Sequence, residues 1–121
     1  MDSKWWQGLG QNKGGVEMED RRIFERFKAA LPTRFLNLKE SSEGNGLTED
    51  VSAKGIGLLA ENEVAPRAPL ELWLEIPDKG EPLYARGEVV WSKMLQPNKY
   101  RVGVNLERAD LMGLSRVLRA L

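Results

Sequence analysis

The chain contains no histidine and no cysteine. Without either residue it cannot assemble the common zinc and haem sites, a Ser-His-Asp triad, a thiol nucleophile or a disulfide framework. Catalysis by carboxylate, lysine or tyrosine alone stays chemically open. No nucleophile and base pair stands out, and Glu61 and Glu63 read as solvated loop charge, so the expectation is a protein that is not an enzyme. The chain also has no excess of one charge, with 18 basic and 18 acidic residues. A global field that gathers nucleic acid or anionic lipid is excluded, and any anion site must be local. No long apolar run occurs. The start, MDSKWWQGLGQNKGG, reads as neither signal peptide nor membrane span, which gives a cytoplasmic expectation.

At 121 residues there is room for one compact domain. Residues 1–19 read as a polar, glycine-bearing arm, with the domain at 20–121. Trp5 and Trp6 in that arm have two open readings, packing back on the domain or contacting a partner. Residues 16–31, VEMEDRRIFERFKAAL, are good helix formers, but Pro32 stops them and their apolar stripe is narrow. A helix and an extended linker are both open.

Beyond Pro32 the period changes from helix to strand. TRFLNLKE reads as a first strand, and Asn45-Gly46 predicts a hairpin turn after it. LTEDVS and GIGLLAE follow as two short strands broken at Ala53-Lys54-Gly55. LELWLEIP alternates most clearly, with Leu70, Leu72, Leu74 and Ile76 on one face and Glu71, Trp73 and Glu75 on the other. LYARGEVVWSKML is a long strand in which Gly87 predicts a bend, a bulge or a close backbone approach, and YRVGVNLE is the last strand. Leu111, Leu114, Val117, Leu118 and Leu121 then recur at helical spacing, with Asp110 at the start. The fold class is all-β: a six-stranded antiparallel, split β-barrel closed by a C-terminal α-helix, preceded by a flexible or partly helical N-terminal segment.

Two patterns carry chemistry. Arg22 and Arg26 are four residues apart, preceded by Arg21, and a guanidinium both forks onto phosphate oxygens and stacks on a purine. Asp50, Ser52 and Gly55 form DxSxxG. A carboxylate here suits the ring N–H and amino group of guanine, while Ser52 and the backbone around Gly55 offer donors to phosphate or base edges. Each pattern alone is common on ordinary protein surfaces. In this order, ahead of a small barrel, RIFER and DVSAKG resemble the PilZ domain family, whose pattern is RxxxR before the first strand and (D/N)xSxxG between the second and third. GIGLL, GEVVW and YRVGV look like the family's later strands, and the resemblance spans roughly residues 20 to 121.

The resemblance implies a bacterial receptor for cyclic di-GMP, bound on the outside of the barrel. By it, Arg22 and Arg26 would stack on guanine or bind its edge and the phosphates, Asp50 and Ser52 would meet guanine edges, and Gly55 would permit close approach. Arg21 occupies the place where a cationic residue accompanies a stacked pair of ligands in the family, which implies two cyclic di-GMP per protomer. It further implies a switch: ligand contacts fold the arginine segment onto the barrel, re-aim the Trp-bearing arm and alter binding of an unidentified effector protein in motility or biofilm regulation. A homodimer through the Trp pair or the final helix is open. Two alternatives remain, a PilZ-like protein-interaction module that does not bind the nucleotide, and a small barrel binding single-stranded nucleic acid. The second would use Trp91, Trp73 and Phe35, which read first as core. Interleaved Glu71, Glu75, Glu88 and Glu107 argue against a basic stripe, so no DNA or RNA partner is expected.

Overall fold

A computed structural model describes residues 24–121. The elements run β1 (Phe27–Lys28), β2 (Pro32–Asn37), β3 (Ser42–Val51), β4 (Gly55–Ala60), β5 (Pro69–Leu74), β6 (Leu83–Gln96), β7 (Lys99–Leu106) and α1 (Leu111–Ala120). Every strand pair is antiparallel. Strands β2, β5, β6, β7, β4 and β3 follow one another around a closed six-stranded barrel, because β4 pairs with both β7 and β3. The two-residue β1 adds to β3, with Phe27 opposite Val51 and Lys28 opposite Asp50. This is the expected barrel with its C-terminal helix. Closure leaves no long edge strand within the barrel itself.

The strand alternation dictates what lies inside. Leu70, Leu72, Leu74 and Ile76 are buried as their spacing predicts, and Phe35, Leu58, Val89, Val102 and Val104 fill the interior from the other strands. Burying a side chain of this size contributes about 1.5–3 kcal/mol. Helix α1 plugs one end of the barrel. Leu114 and Val117 reach in among Val51, Ile56, Leu74, Leu83 and Leu106, while Leu111, Leu118 and Leu121 stay exposed. Asp110 caps the helix, its carboxylate accepting from the Gly113 amide at 2.8 Å. On the exposed flank the Arg116 guanidinium donates to both oxygens of Asp78 and to the Glu81 carbonyl, which ties the helix to the β5–β6 turn.

The first turn departs from expectation. Asn45 and Gly46 lie inside β3, and the chain reverses at residues 38–41 instead. There the Asn37 side chain accepts from the amides of Lys39 and Glu40 at 3.0 and 3.2 Å, and Ser41 takes a positive φ of 56°. The glycines of this stretch serve close packing, and a Cβ on Gly46 would lie 2.4 Å from the Leu59 carbonyl oxygen. Gly44 faces Phe35 across the ladder, and a Cβ there would lie 2.4 Å from the Phe35 ring. Gly87 likewise marks a close approach, to the Asn105 carbonyl.

Of the open choice for residues 16–31, Phe24 is helical and the residues after it are not. Residues 25–31 run along β3, with Ala29 and Leu31 buried. The part before residue 24 lies outside the described residues. Thr48 pins this segment, its buried hydroxyl accepting from the Leu31 amide at 2.8 Å and donating to the Ala29 carbonyl. A Thr48→Val substitution keeps the shape and strands both backbone groups. It should cost about 1–3 kcal/mol, measured as a lowered urea midpoint.

Candidate functional site

Side chains on a strand alternate between faces, so one extra residue in a strand reverses every face beyond it. Two strands of this barrel carry such an insertion. In β3 the register with β4 slips between Thr48, opposite Leu58, and Asp50, opposite Gly57. Thr48 points inward and Glu49 is the extra residue, so Asp50 joins it on the outside and Val51 returns to the core. In β6 the register with β7 slips between Val89, opposite Val104, and Trp91, opposite Gly103. Val89 is buried, Val90 is exposed, and Trp91 is turned outward.

The two bulges face each other across the sheet. Pairing runs Lys28, Asp50, Gly57, Gly103, Trp91 in one row over five strands. At about 4.8 Å per strand, Asp50 and Trp91 are set roughly 14 Å apart. Between them the two glycines let side chains lie flat on the backbone. A Cβ on Gly57 would be 2.7 Å from Asp50 Oδ1, and one on Gly103 would be 2.5 Å from the Trp91 indole nitrogen. Trp91 is therefore a wall of the outer face and not a core residue. Trp73 is also outside, under the Arg34 guanidinium at 4.4 Å and beside Tyr84; of the three aromatics read first as core, only Phe35 is there.

The arginine segment reaches the same row. Arg26 Nη2 donates to Asp50 Oδ2 at 3.2 Å, the side chains being 29% and 16% exposed. Asp50 Oδ1 is buried against Gly57 without a hydrogen bond of regular geometry. Burial raises the Asp50 pKa above its ordinary 3.8; Arg26 opposes this, Glu49 adds to it, and Lys28 opposes it. Glu49 is itself held by Arg101, through Nε at 2.9 Å and Nη2 at 3.2 Å. The result is a carboxylate of restricted solvation, held by a guanidinium on a partly exposed surface.

Ser52 and Gly55 occupy the loop that follows. The buried Ser52 hydroxyl accepts from the amides of Lys54 and Gly55 at 3.2 and 2.9 Å and donates to the Gly55 carbonyl at 3.2 Å. Its hydroxyl is engaged in shaping the turn into β4. Gly55 opens β4 opposite Asn105. The loop is fastened to its neighbours as well: Lys54 Nζ donates to the Leu106 and Glu107 carbonyls, and the Ala53 carbonyl accepts from Asp110 N at 2.7 Å. Arg21, Arg22, Trp5 and Trp6 lie outside the described residues.

Sequence reading assigned no role to Lys28, Gly57, Gly103 or Glu49. The only signals were a glycine at matching places in GIGLL and YRVGV, and a lysine two residues after Arg26. Among the described residues no cluster of three His, Cys, Asp or Glu could hold a metal, and no helix is long and apolar enough to cross a membrane.

A family model for the PilZ domain matches residues 20–120. The chain belongs to the PilZ domain family. Its barrel is similar to the PilZ domain with c-di-GMP of YcgR from Escherichia coli, at 12% identity and a TM-score of 0.58, covering 78% of this chain and 84% of that one. It is also similar to the PilZ domain of CeSA from a cellulose synthesizing bacterium, at 19% identity and a TM-score of 0.54, covering 78% and 92%. The Bacillus subtilis inhibitor of motility MotI/DgrA is 14% identical, with a TM-score of 0.58; the match covers 78% of this PilZ chain and only 47% of that protein. At these identities the likeness is one of fold. No curated protein matches the chain.

The raised Asp50 pKa has a consequence for the ligand-free PilZ domain. The folded state holds this proton more tightly than the unfolded chain, so the carboxyl's contribution to stability is greatest below pH 3.8 and falls as pH climbs through the raised value. An Asp50→Asn substitution removes that fall. Its thermal midpoint at neutral pH should equal or exceed that of the unsubstituted protein, and the difference should vanish in acid.

Proposed function

We propose that this PilZ domain is a cyclic di-GMP receptor and not an enzyme, and that it signals by moving its N-terminal segment. The observation that carries the reading is the meeting of two separate motifs: Arg26 of RIFER and Asp50 of DVSAKG are paired on the outer face of the barrel, in a row that ends at Trp91. A guanine base offers a ring N–H and an amino group to one carboxylate, which matches the two oxygens of Asp50. Purine and phosphate both suit arginine, through stacking and forked hydrogen bonds.

The ligand-free pairing is a weak one. A partly exposed ion pair contributes about 0.2–1 kcal/mol, so guanine takes the place of Arg26 on Asp50 at small cost and frees the guanidinium for a base face or a phosphate. Arg22 approaches from the same segment, and Arg21 supports a second ligand molecule stacked on the first. Ser52 and Gly55 hold the loop that presents Asp50. Trp91, flat over Gly103, limits the far side of the site. Moving the Arg26 guanidinium from Asp50 to the ligand, with Arg21 and Arg22 engaged beside it, shifts the population of the arm that precedes β1, and an effector protein reads the change. The relatives that carry c-di-GMP or inhibit motility in their descriptions support the ligand and the kind of process. The domain acts in the cytoplasm.

Isothermal titration with cyclic di-GMP tests the reading. Saturable binding is expected at two molecules per chain. Arg22→Ala, Arg26→Ala and Asp50→Ala should each weaken it at least about tenfold, equivalent to 1.4 kcal/mol or more. Arg21→Ala should reduce the stoichiometry to one. No heat from the unsubstituted protein at high ligand concentration would leave a PilZ barrel that only binds proteins. A Gly103→Val substitution lifts Trp91 off the sheet and should weaken binding while the barrel still melts cooperatively.

A further inference from the structure

Helix α1 turns only part of its apolar surface toward the barrel. Leu111, Leu118 and Leu121 are 50%, 37% and 63% exposed, while Leu114 between them is buried. Leu111, Leu114, Leu118 and Leu121 follow a three-four-three spacing, which forms one narrow seam along a helix. The helix carries no acidic residue from Leu111 to Leu121, and Arg119 lies in its last turn with Arg108 just ahead of its cap. The uncovered surface is thus a leucine seam with a basic border.

The chain enters β1 from the same end of the barrel. Strand β1 runs antiparallel to the last residues of β3, so moving from Lys28 to Phe27 follows β3 from Asp50 to Val51 and on toward the Ser52–Lys54 loop. That loop holds the first residue of the helix cap through the Ala53 carbonyl and Asp110 amide. The stretch before Phe24 contains Trp5, Trp6, Leu9, Val16 and Met18, together with Glu17, Glu19 and Asp20. It supplies apolar groups to meet the leucines, and although four acidic and four basic residues balance over the whole stretch, Glu17, Glu19 and Asp20 gather its negative charge in one place. Even Trp6 is close enough along the chain, since an extended stretch of this length spans roughly 60 Å at about 3.3–3.6 Å per residue. A second copy is a poorer fit. Specific dimers bury about 1,200 Å² or more, and a helix of ten residues offers too short a seam, whereas a tethered segment needs far less area.

We infer that the Leu111–Leu121 seam is the docking site for this chain's own N-terminal segment, with Trp5 and Trp6 against Leu111, Leu118 and Leu121 and the acidic run at 17–20 toward Arg108 and Arg119. The contact rests on the fold and not on the nucleotide. It identifies the surface that a movement of the arm would uncover.

Because the chain lacks cysteine, a single Ser3→Cys substitution carries a nitroxide spin label at one defined place. In the full chain, diluted with unlabelled protein and without nucleotide, the methyl signals of Leu111, Leu118 and Leu121 should be broadened by the label. The broadening should be lost with Trp5→Ala and Trp6→Ala together, which leave the barrel intact, and with Leu118→Glu, an exposed position that the fold tolerates. Broadening that appears only when the label is on a separate chain would mean that a second copy covers the seam, and would overturn the inference. No broadening at these methyls would also overturn it. Neither result bears on nucleotide titration, so the two readings fail separately.

Discussion

Two single-residue bulges hold the site together. A strand buried on one face cannot present consecutive side chains to solvent without breaking its alternation. At Glu49 and again at Val90 the barrel breaks it, and in each case the residue that would have entered the core stands outside. Asp50 and Trp91 owe their positions to this, and the glycines opposite them give the room in which they lie. The core does not suffer, since Val51 and Val89 on either side of the irregularities remain buried. A barrel otherwise committed to leucine and valine inside thereby acquires one polar row outside.

The loop after Asp50 connects that row to the end of the molecule. Ser52 shapes it, Lys54 fastens it to the last turn of β7, and Ala53 holds the amide of the helix cap. The candidate site and the base of the helix are therefore joined by direct hydrogen bonds. The residues just before β1 meet the site through the ion pair between Arg26 and Asp50.

The legibility of the sequence followed the regularity of each element. LELWLEIP could be read without error because β5 is an uninterrupted strand paired on both sides, and its leucines have one face to occupy. The terminal helix was legible for the same reason, although its apolar set is wider than the barrel end it covers. Asn45-Gly46 misled because glycine answers two different demands, a turn and a close approach, and at Gly46 the nearness of the Leu59 carbonyl on β4 decided between them. Trp91 was misplaced because a bulge leaves no mark in composition: Val89 and Trp91 have the spacing of core partners and are not. The motif residues were recognised by their resemblance to a family, but the division of labour within DxSxxG was not visible. Asp50 faces outward, whereas the Ser52 hydroxyl is spent on its own turn.

The pairing of β4 has a consequence during synthesis. Its outer edge is completed by β7, with Ala60 opposite Tyr100, so about forty residues separate the two strands along the chain. At roughly 5–20 residues per second, β4 waits some 2–8 seconds on the ribosome before its partner is made. Throughout that interval GIGLLA is an apolar strand with an open edge, the feature most prone to pairing with a neighbouring nascent chain. Because the barrel closes only near the C-terminus, a chain truncated before β7 is left with that edge unpaired.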